Sequence, residues 1–154
     1  MSTVRRFLVI QALLIWQGGF FFYAAVVVPI GTQVHGAFGQ GMVTRHVTDW
    51  MNLIGAVAVV ILAWDQWANG DSRACRWARW GLWIVFASGL VALAIIHRHI
   101  EAYLDSSMDY RTFYTWHRVY LIVASVQWVA GMGYVVVMLR AWGLAGQALN
   151  RSRQ

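Results

Sequence analysis

The sequence has no lysine, one cysteine and one proline among its 154 residues. Because Cys75 is the only cysteine, an intramolecular disulfide and a metal centre of several thiolates are both excluded. The absence of lysine excludes a phosphate-binding loop in which lysine follows a glycine-rich turn. Charged residues of both signs make up only 12 % of the chain.

Hydrophobic residues dominate instead, at 60 % of the sequence and a mean hydropathy of +0.54. A soluble domain of this length leaves much of its surface in water and cannot bury so much apolar surface. We therefore expect the excess to face lipid or partner subunits, in a single domain over residues 1–154.

Four hydrophobic segments are long enough to cross a bilayer, which takes about 20 apolar residues. They cover about residues 7–28, 50–67, 80–96 and 119–142, with outer loops at 29–49 and 97–118. Seven of the ten tryptophans lie near the segment ends, where an indole ring favours the headgroup level. Pro29 is expected to end the first segment. The sequence thus predicts an all-α integral membrane four-helix bundle.

The distribution of arginine predicts how the bundle is oriented. The side with both termini holds eight arginines, and the other side holds four. Because cytoplasmic segments carry an excess of positive charge, we expect the N- and C-termini in the cytoplasm and the chain in a bacterial inner (plasma) membrane. The net charge of +6 then reflects topology. The arginines form no basic stripe, which argues against a nucleic-acid partner.

All five histidines fall on the predicted outer side, together with most of the carboxylates. If the third helix continues past Ile96, then His97, Glu101 and Asp105 share one helical face. His117 begins the fourth helix at the same depth as His97. Imidazole and carboxylate together suit a transition-metal ion such as copper or zinc. We predict a metal site drawn from His97, Glu101, His117, His46 and His35.

The outer loop at 29–49 contains four glycines among apolar residues. It is too apolar for a simple solvated tether. We expect it to fold over the bundle as a lid or interfacial helix, which would present His35, Arg45 and His46 to the site.

Other interpretations of the outer side remain open. His97 and His117 on facing helices are candidates for ligating haem b, which would make the chain an electron-transfer subunit. Polar residues at helix ends also form ordinary ion pairs, such as Arg98 or Arg118 with Glu101. The chain would then be an accessory subunit of a larger membrane complex or a homo-oligomer, with no chemistry of its own. No nucleophile–base pair or known catalytic motif supports an enzyme.

Three amide side chains lie within the predicted spans, at Gln17, Gln127 and Asn52. An unpaired amide in hydrocarbon costs several kcal/mol. We therefore expect Gln17 and Gln127 to face the bundle interior and to bond with each other or with backbone groups.

The stretch Trp16-Gln17-Gly18-Gly19-Phe20-Phe21-Phe22, leading to Val26-Val27-Val28-Pro29, resembles the opening helix of certain small four-span membrane proteins. These are families of unknown function grouped with the copper-resistance D membrane proteins. The resemblance covers one helix of four and implies a four-helix bundle with metal handling at its outer face. The methionine-rich motifs of copper carriers are missing, since the six methionines are scattered.

Overall fold

The computed structural model describes residues 3–68, 73–104 and 110–151, without the side chains at 37, 38, 102–104, 110, 111, 113, 114 and 144–151. This part of the chain is helical. The α-helices are Thr3–Leu13, Gly19–Phe22, Val28–Trp67, Arg73–Leu104 and Tyr110–Arg151, and π-helical turns cover Leu14–Gly18 and Tyr23–Val27.

Four stretches of these helices are long and apolar enough to cross a membrane. The first span is Thr3–Gly36, the second Gly39–Trp67, the third Arg73–Glu101 and the fourth Thr115–Gly143. Only 17 % to 33 % of the most apolar window of each span is buried inside the bundle. Many large apolar side chains, such as Phe21, Val60 and Ile95, are exposed, as they are in a bundle surrounded by lipid.

The helices extend further than the apolar segments of the sequence. Residues 29–49 form no loop: the first span continues through Pro29 to Gly36, and the second begins at Gly39. Gly36 has φ 72° and ψ 170°, a conformation that favours glycine, and the chain reverses there. The third helix likewise continues to Leu104, and the fourth starts at Tyr110. Hydropathy identifies only the apolar part of a helix, so it did not predict the less apolar extensions of these helices.

Pro29 is accommodated because a π-helical turn ends just before it. The turn Tyr23–Val27 places Pro29 in the first turn of the next α-helix. A missing N–H costs little in a first turn. The other π-helical turn, Leu14–Gly18, contains the buried side chains of Trp16 and Gln17.

Consecutive spans are antiparallel. Between the first two, Arg5 contacts Asp65 and Tyr23 contacts Thr44. The chain therefore has a terminal end, near Arg5 and Asp65, and a Gly36 end, near Tyr23 and Thr44. The apolar core between them has two clusters of buried residues: Val9, Leu13, Leu62, Tyr134, Met138 and Trp142 form one, and Trp16, Ala58 and Phe86 form the other.

Polar side chains in the middle of the bundle bond to backbone carbonyls of neighbouring spans. Gln17 Nε2 donates to the Trp128 carbonyl at 3.2 Å, and Gln127 Nε2 donates to the Phe86 carbonyl at 3.1 Å. A side chain at Gly131 would collide with the Gln17 amide. The two glutamines thus use backbone partners, not each other, and Gly131 provides the space for one of them. Asn52 is half-buried on the second span.

Candidate metal site

Four charged or titratable side chains meet where the second and third spans face each other at the Gly36 end. Arg45 and Asp49 are one helical turn apart on the second span, and His97 and Glu101 are one turn apart on the third. Because the two spans are antiparallel, Arg45 lies opposite Glu101 and Asp49 lies opposite His97. We call these four residues the histidine cluster.

His97 is the central residue of the histidine cluster. Its Nε2 lies 3.5 Å from Asp49 Oδ1 and 3.5 Å from Glu101 Oε1. These distances exceed the range of about 2.7–3.2 Å for a hydrogen bond from nitrogen to oxygen. His97 is only 8 % exposed, and Nε2 is a buried atom with no hydrogen-bond partner among the described residues. A buried imidazole nitrogen therefore faces two carboxylates without bonding to either.

The same spacing suits ligands of a single metal ion. Ligand atoms of Asp49, His97 and Glu101 all lie within 4.8 Å of one another. Atoms bound to tetrahedral zinc at about 2.0–2.1 Å are themselves about 3.3–3.4 Å apart. The 3.5 Å separations around His97 Nε2 are therefore close to the value that one shared ion requires.

Arg45 fixes the Glu101 carboxylate. Its Nε donates to Glu101 Oε1 at 2.7 Å, with the two side chains 30 % and 19 % exposed. The same Oε1 lies 3.5 Å from His97 Nε2, and a carboxylate oxygen has two lone pairs, so the bond from Arg45 leaves it capacity for a second interaction. Metal-binding carboxylates are commonly held by such a partner. Asp49, in contrast, is 63 % exposed and opens the cluster to its surroundings.

Hydroxyl and amide groups lie in the bundle beside the histidine cluster. Tyr23 OH donates to Thr44 Oγ1 at 2.9 Å, and the buried Gln40 donates to Tyr23 OH at 3.3 Å. Gly31 makes this possible, because a side chain there would collide with the Gln40 amide. The side chains of Thr48 and Tyr120 share a further hydrogen bond. The Gly36 end is thus polar inside as well as at its rim.

Only part of the predicted ligand set comes together. His97 and Glu101 lie in one group with Asp49, which the sequence analysis did not single out. His35 and His46 are exposed and His117 is half-buried, and these three are not in the group. His99 packs edge-on against Trp116, with 4.9 Å between ring centroids. Asp105 lies outside the described residues. Glu101 pairs with Arg45, where the sequence suggested Arg98 or Arg118.

A second polar cluster, at the terminal end, was missed by the sequence analysis. Asp65 is fully buried between two guanidinium groups: Arg5 Nε lies 3.1 Å from Asp65 Oδ1, and Arg79 Nη2 donates to Asp65 Oδ2. Arg79 Nη2 also donates to Tyr134 OH at 2.9 Å. Arg5 Nη1 donates to the Ala68 carbonyl at 2.9 Å, at the end of the second span. We call Arg5, Asp65, Arg79 and Tyr134 the terminal-end cluster.

The terminal-end cluster takes one residue from each of the four spans. All four residues are buried, and the Arg79 guanidinium also lies over the Tyr134 ring, 5.3 Å from its centroid. The sequence did contain a signal, because an ionisable residue at an apolar position such as Asp65 needs a charged partner. The sequence analysis interpreted Arg5 and Arg79 only as topology signals, so it did not pair them with Asp65.

Comparison with known proteins gave no relative from which a role could be transferred. No protein-family model, no curated protein and no solved structure matches the chain. The resemblance of the first span to proteins grouped with the copper-resistance D family stays a prediction. The side-chain geometry at the two ends of the bundle is therefore the basis for assigning a role.

Proposed function

We propose that this chain is a four-span membrane protein that binds one divalent transition-metal ion through Asp49, His97 and Glu101. The observation that carries the proposal is the buried His97 Nε2, which lies 3.5 Å from a carboxylate oxygen on each side. Without a metal ion this buried nitrogen makes only the two 3.5 Å contacts with carboxylates and has no hydrogen bond among the described residues, which is costly. A metal ion would satisfy all three ligand atoms at once.

The ligand types favour zinc, with copper(II) second. One imidazole nitrogen and two carboxylate oxygens are hard or borderline ligands. Copper(I) prefers thiolate and thioether sulfur, and the group contains neither. Zinc accepts nitrogen and oxygen ligands in this combination and imposes little geometric preference of its own.

The depth of the two clusters supports a site at the outer membrane boundary. Asp49 and Asp65 are separated by about 24 Å along the second span, at 1.5 Å per residue. His97 and Arg79 are separated by about 27 Å along the third span. A hydrocarbon core is about 30 Å thick, so each cluster would lie near one of its edges. With both termini in the cytoplasm of a bacterial cell, the histidine cluster would face the periplasm.

Metal content is the direct test. The wild-type protein, purified in detergent and equilibrated with zinc, should retain about one zinc ion per chain after removal of free metal. His97→Ala should lose it, because the only nitrogen of the group is removed. His46→Ala is the matched control: His46 is an exposed histidine on the second span, outside the group, and its loss should leave the zinc content unchanged.

Three results would contradict the proposal. One is equal zinc content in the wild type and in His97→Ala, which would place the metal elsewhere. The second is a Soret band in the absorption spectrum of the wild type, lost in His97→Ala and His117→Ala, which would establish the haem alternative. The third is wild-type protein that retains no metal, and stoichiometric partner proteins after gentle extraction would then favour an accessory subunit.

A further inference from the structure

The outward face of the third span carries a shallow groove that ends at an arginine and a histidine. Its lining residues recur at intervals of three and four, so they share one side of a single helix. The groove has a volume of about 510 Å³ and is lined by Val91, Ala94, Ile95, Arg98 and His99. Val91 and Ile95 are 60 % and 63 % exposed, and Arg98 and His99 are exposed as well. The apolar part and the polar part of the groove are therefore both open to the surroundings of the bundle.

The polar end of the groove lies at the level of the histidine cluster. Arg98 and His99 directly follow His97, and Val91 lies about 10 Å from Arg98 toward the middle of the span, at 1.5 Å per residue. His99 packs edge-on against Trp116. Tryptophan and arginine near the end of a span favour the headgroup level, where the arginine keeps its charge in water. The groove thus runs from the headgroup level into the hydrocarbon.

We infer that this groove holds one phospholipid with an anionic headgroup, whose phosphate lies at Arg98 and whose acyl chain lies along Val91 and Ile95. This inference rests on the proposed membrane placement of the bundle and not on the proposed metal. A phospholipid has its negative group at the headgroup level and its acyl chain in the hydrocarbon, in the same order as the surfaces of the groove. An arginine at the membrane surface attracts anionic lipids.

The position of Arg98 favours a lipid over a second copy of the chain. Two copies in one membrane with the same orientation would be related by a twofold axis along the membrane normal. If their third spans met at this groove, the two Arg98 side chains would come to the same level, and like charges that face each other are unfavourable. An anionic lipid brings the opposite charge to that level.

A groove on the second span provides a comparison. It has a volume of about 260 Å³ and is lined by Ala56, Val57, Val60 and Ile61, all of them apolar. These residues offer a surface for an acyl chain but no charge for a headgroup. Lipid that packs there should therefore exchange without regard to its headgroup.

Native mass spectrometry of the metal-free protein in detergent measures the lipid preference. The protein would be titrated with phosphatidylglycerol and with phosphatidylcholine of the same acyl chains, which differ in net charge. We expect the first phosphatidylglycerol to bind about three- to tenfold more tightly, the effect of one arginine near an anionic lipid. Arg98→Gln should reduce this preference to under about twofold. Arg118→Gln is the matched control and should keep the preference, because Arg118 is an exposed arginine on the fourth span, outside the groove.

A second pair of variants tests the apolar part of the groove. Ala94→Phe places a ring in the groove and should lower the occupancy of the first phosphatidylglycerol. Ala56→Phe makes the same change in the comparison groove and should leave that occupancy unchanged. Glycerol phosphate, which carries the charge without acyl chains, should not displace the lipid.

Four results would overturn the inference. They are equal binding of the two lipids by the wild type, an equal loss of preference in Arg98→Gln and Arg118→Gln, displacement of the lipid by glycerol phosphate, and a lipid-free dimer that Ala94→Phe dissociates. The last would make a second copy the occupant of the groove. If Ala94→Phe does not fold, the Arg98→Gln and Arg118→Gln titrations decide. Because the protein is metal-free throughout, failure of the metal site would leave these results unaffected.

Discussion

The two ends of the bundle each carry a group of charged residues, but they are built differently. The terminal-end cluster takes one residue from each span, and its charges are paired and buried. The histidine cluster uses only the second and third spans, is partly exposed, and contains a buried nitrogen without a hydrogen-bond partner among the described residues. Buried, paired charges drawn from all four spans hold helices together, whereas a partly exposed group on two spans leaves room for a ligand.

The largest expected effect comes from removing the buried carboxylate at the terminal end. Asp65→Asn leaves the guanidinium groups of Arg5 and Arg79 buried without their counter-charge. Removing one partner of a buried ion pair typically costs about 3–5 kcal/mol. We expect the free energy of unfolding to fall by this amount. It can be measured by tryptophan fluorescence during denaturation in mixed detergent micelles.

Asp49→Asn is the matched control, because it removes a carboxylate from the other end of the same span. Its side chain is 63 % exposed, and the loss of an exposed pair costs about 0–1 kcal/mol when metal is absent. Equal destabilisation by the two substitutions would show that the ends do not differ as described.

The next effect is stabilisation by metal, which should act only at the Gly36 end. A ligand that binds the folded state alone stabilises it by about 2.7 kcal/mol at a concentration one hundred times its dissociation constant. Zinc should therefore raise the unfolding midpoint of the wild type and of His46→Ala. It should leave His97→Ala and Asp49→Asn unchanged or nearly so. A zinc effect of equal size in His97→Ala would separate metal binding from the histidine cluster.

Hydrophobicity was sufficient to predict the number of spans and their place in the sequence, because four apolar stretches are separated by segments with more polar residues. It was not sufficient to predict helix length. The segment 29–49 carries glycine, histidine and threonine, which resemble a loop in composition. In the structure it is helical on both sides of Gly36. Its backbone groups bond within the helix whether or not the side chains are apolar.

Two of the three residues proposed to bind the metal could be predicted from the sequence, and the third could not. His97 and Glu101 are four residues apart on one helix, and that spacing identified them. Asp49 is far from them in sequence. It lies beside His97 only because the second span is helical from Gly39 onward and runs antiparallel to the third. His35 and His46 were included because they share a side of the membrane. Topology places residues at one depth but does not determine which helix face they occupy.

The smallest expected effect is a difference in the response of the two ends to salt. Raising the ionic strength from about 0.1 M to 1 M shortens the screening length from about 10 Å to 3 Å. Screening acts on charges that water reaches, such as Arg45 and Glu101, and much less on Arg79 and Asp65, which are 1 % and 0 % exposed.

In metal-free protein, Glu101→Gln should cost under about 1 kcal/mol at low salt, and most of that cost should disappear at high salt. The cost of Asp65→Asn should change by less than about 0.5 kcal/mol, since its partners Arg5 and Arg79 are buried and are screened little by salt. Unfolding titrations of the two variants at both ionic strengths make the comparison. A strong salt response of Asp65→Asn would mean that solvent enters the terminal-end cluster. The description of this cluster as a water-excluded contact between the four spans would then be wrong.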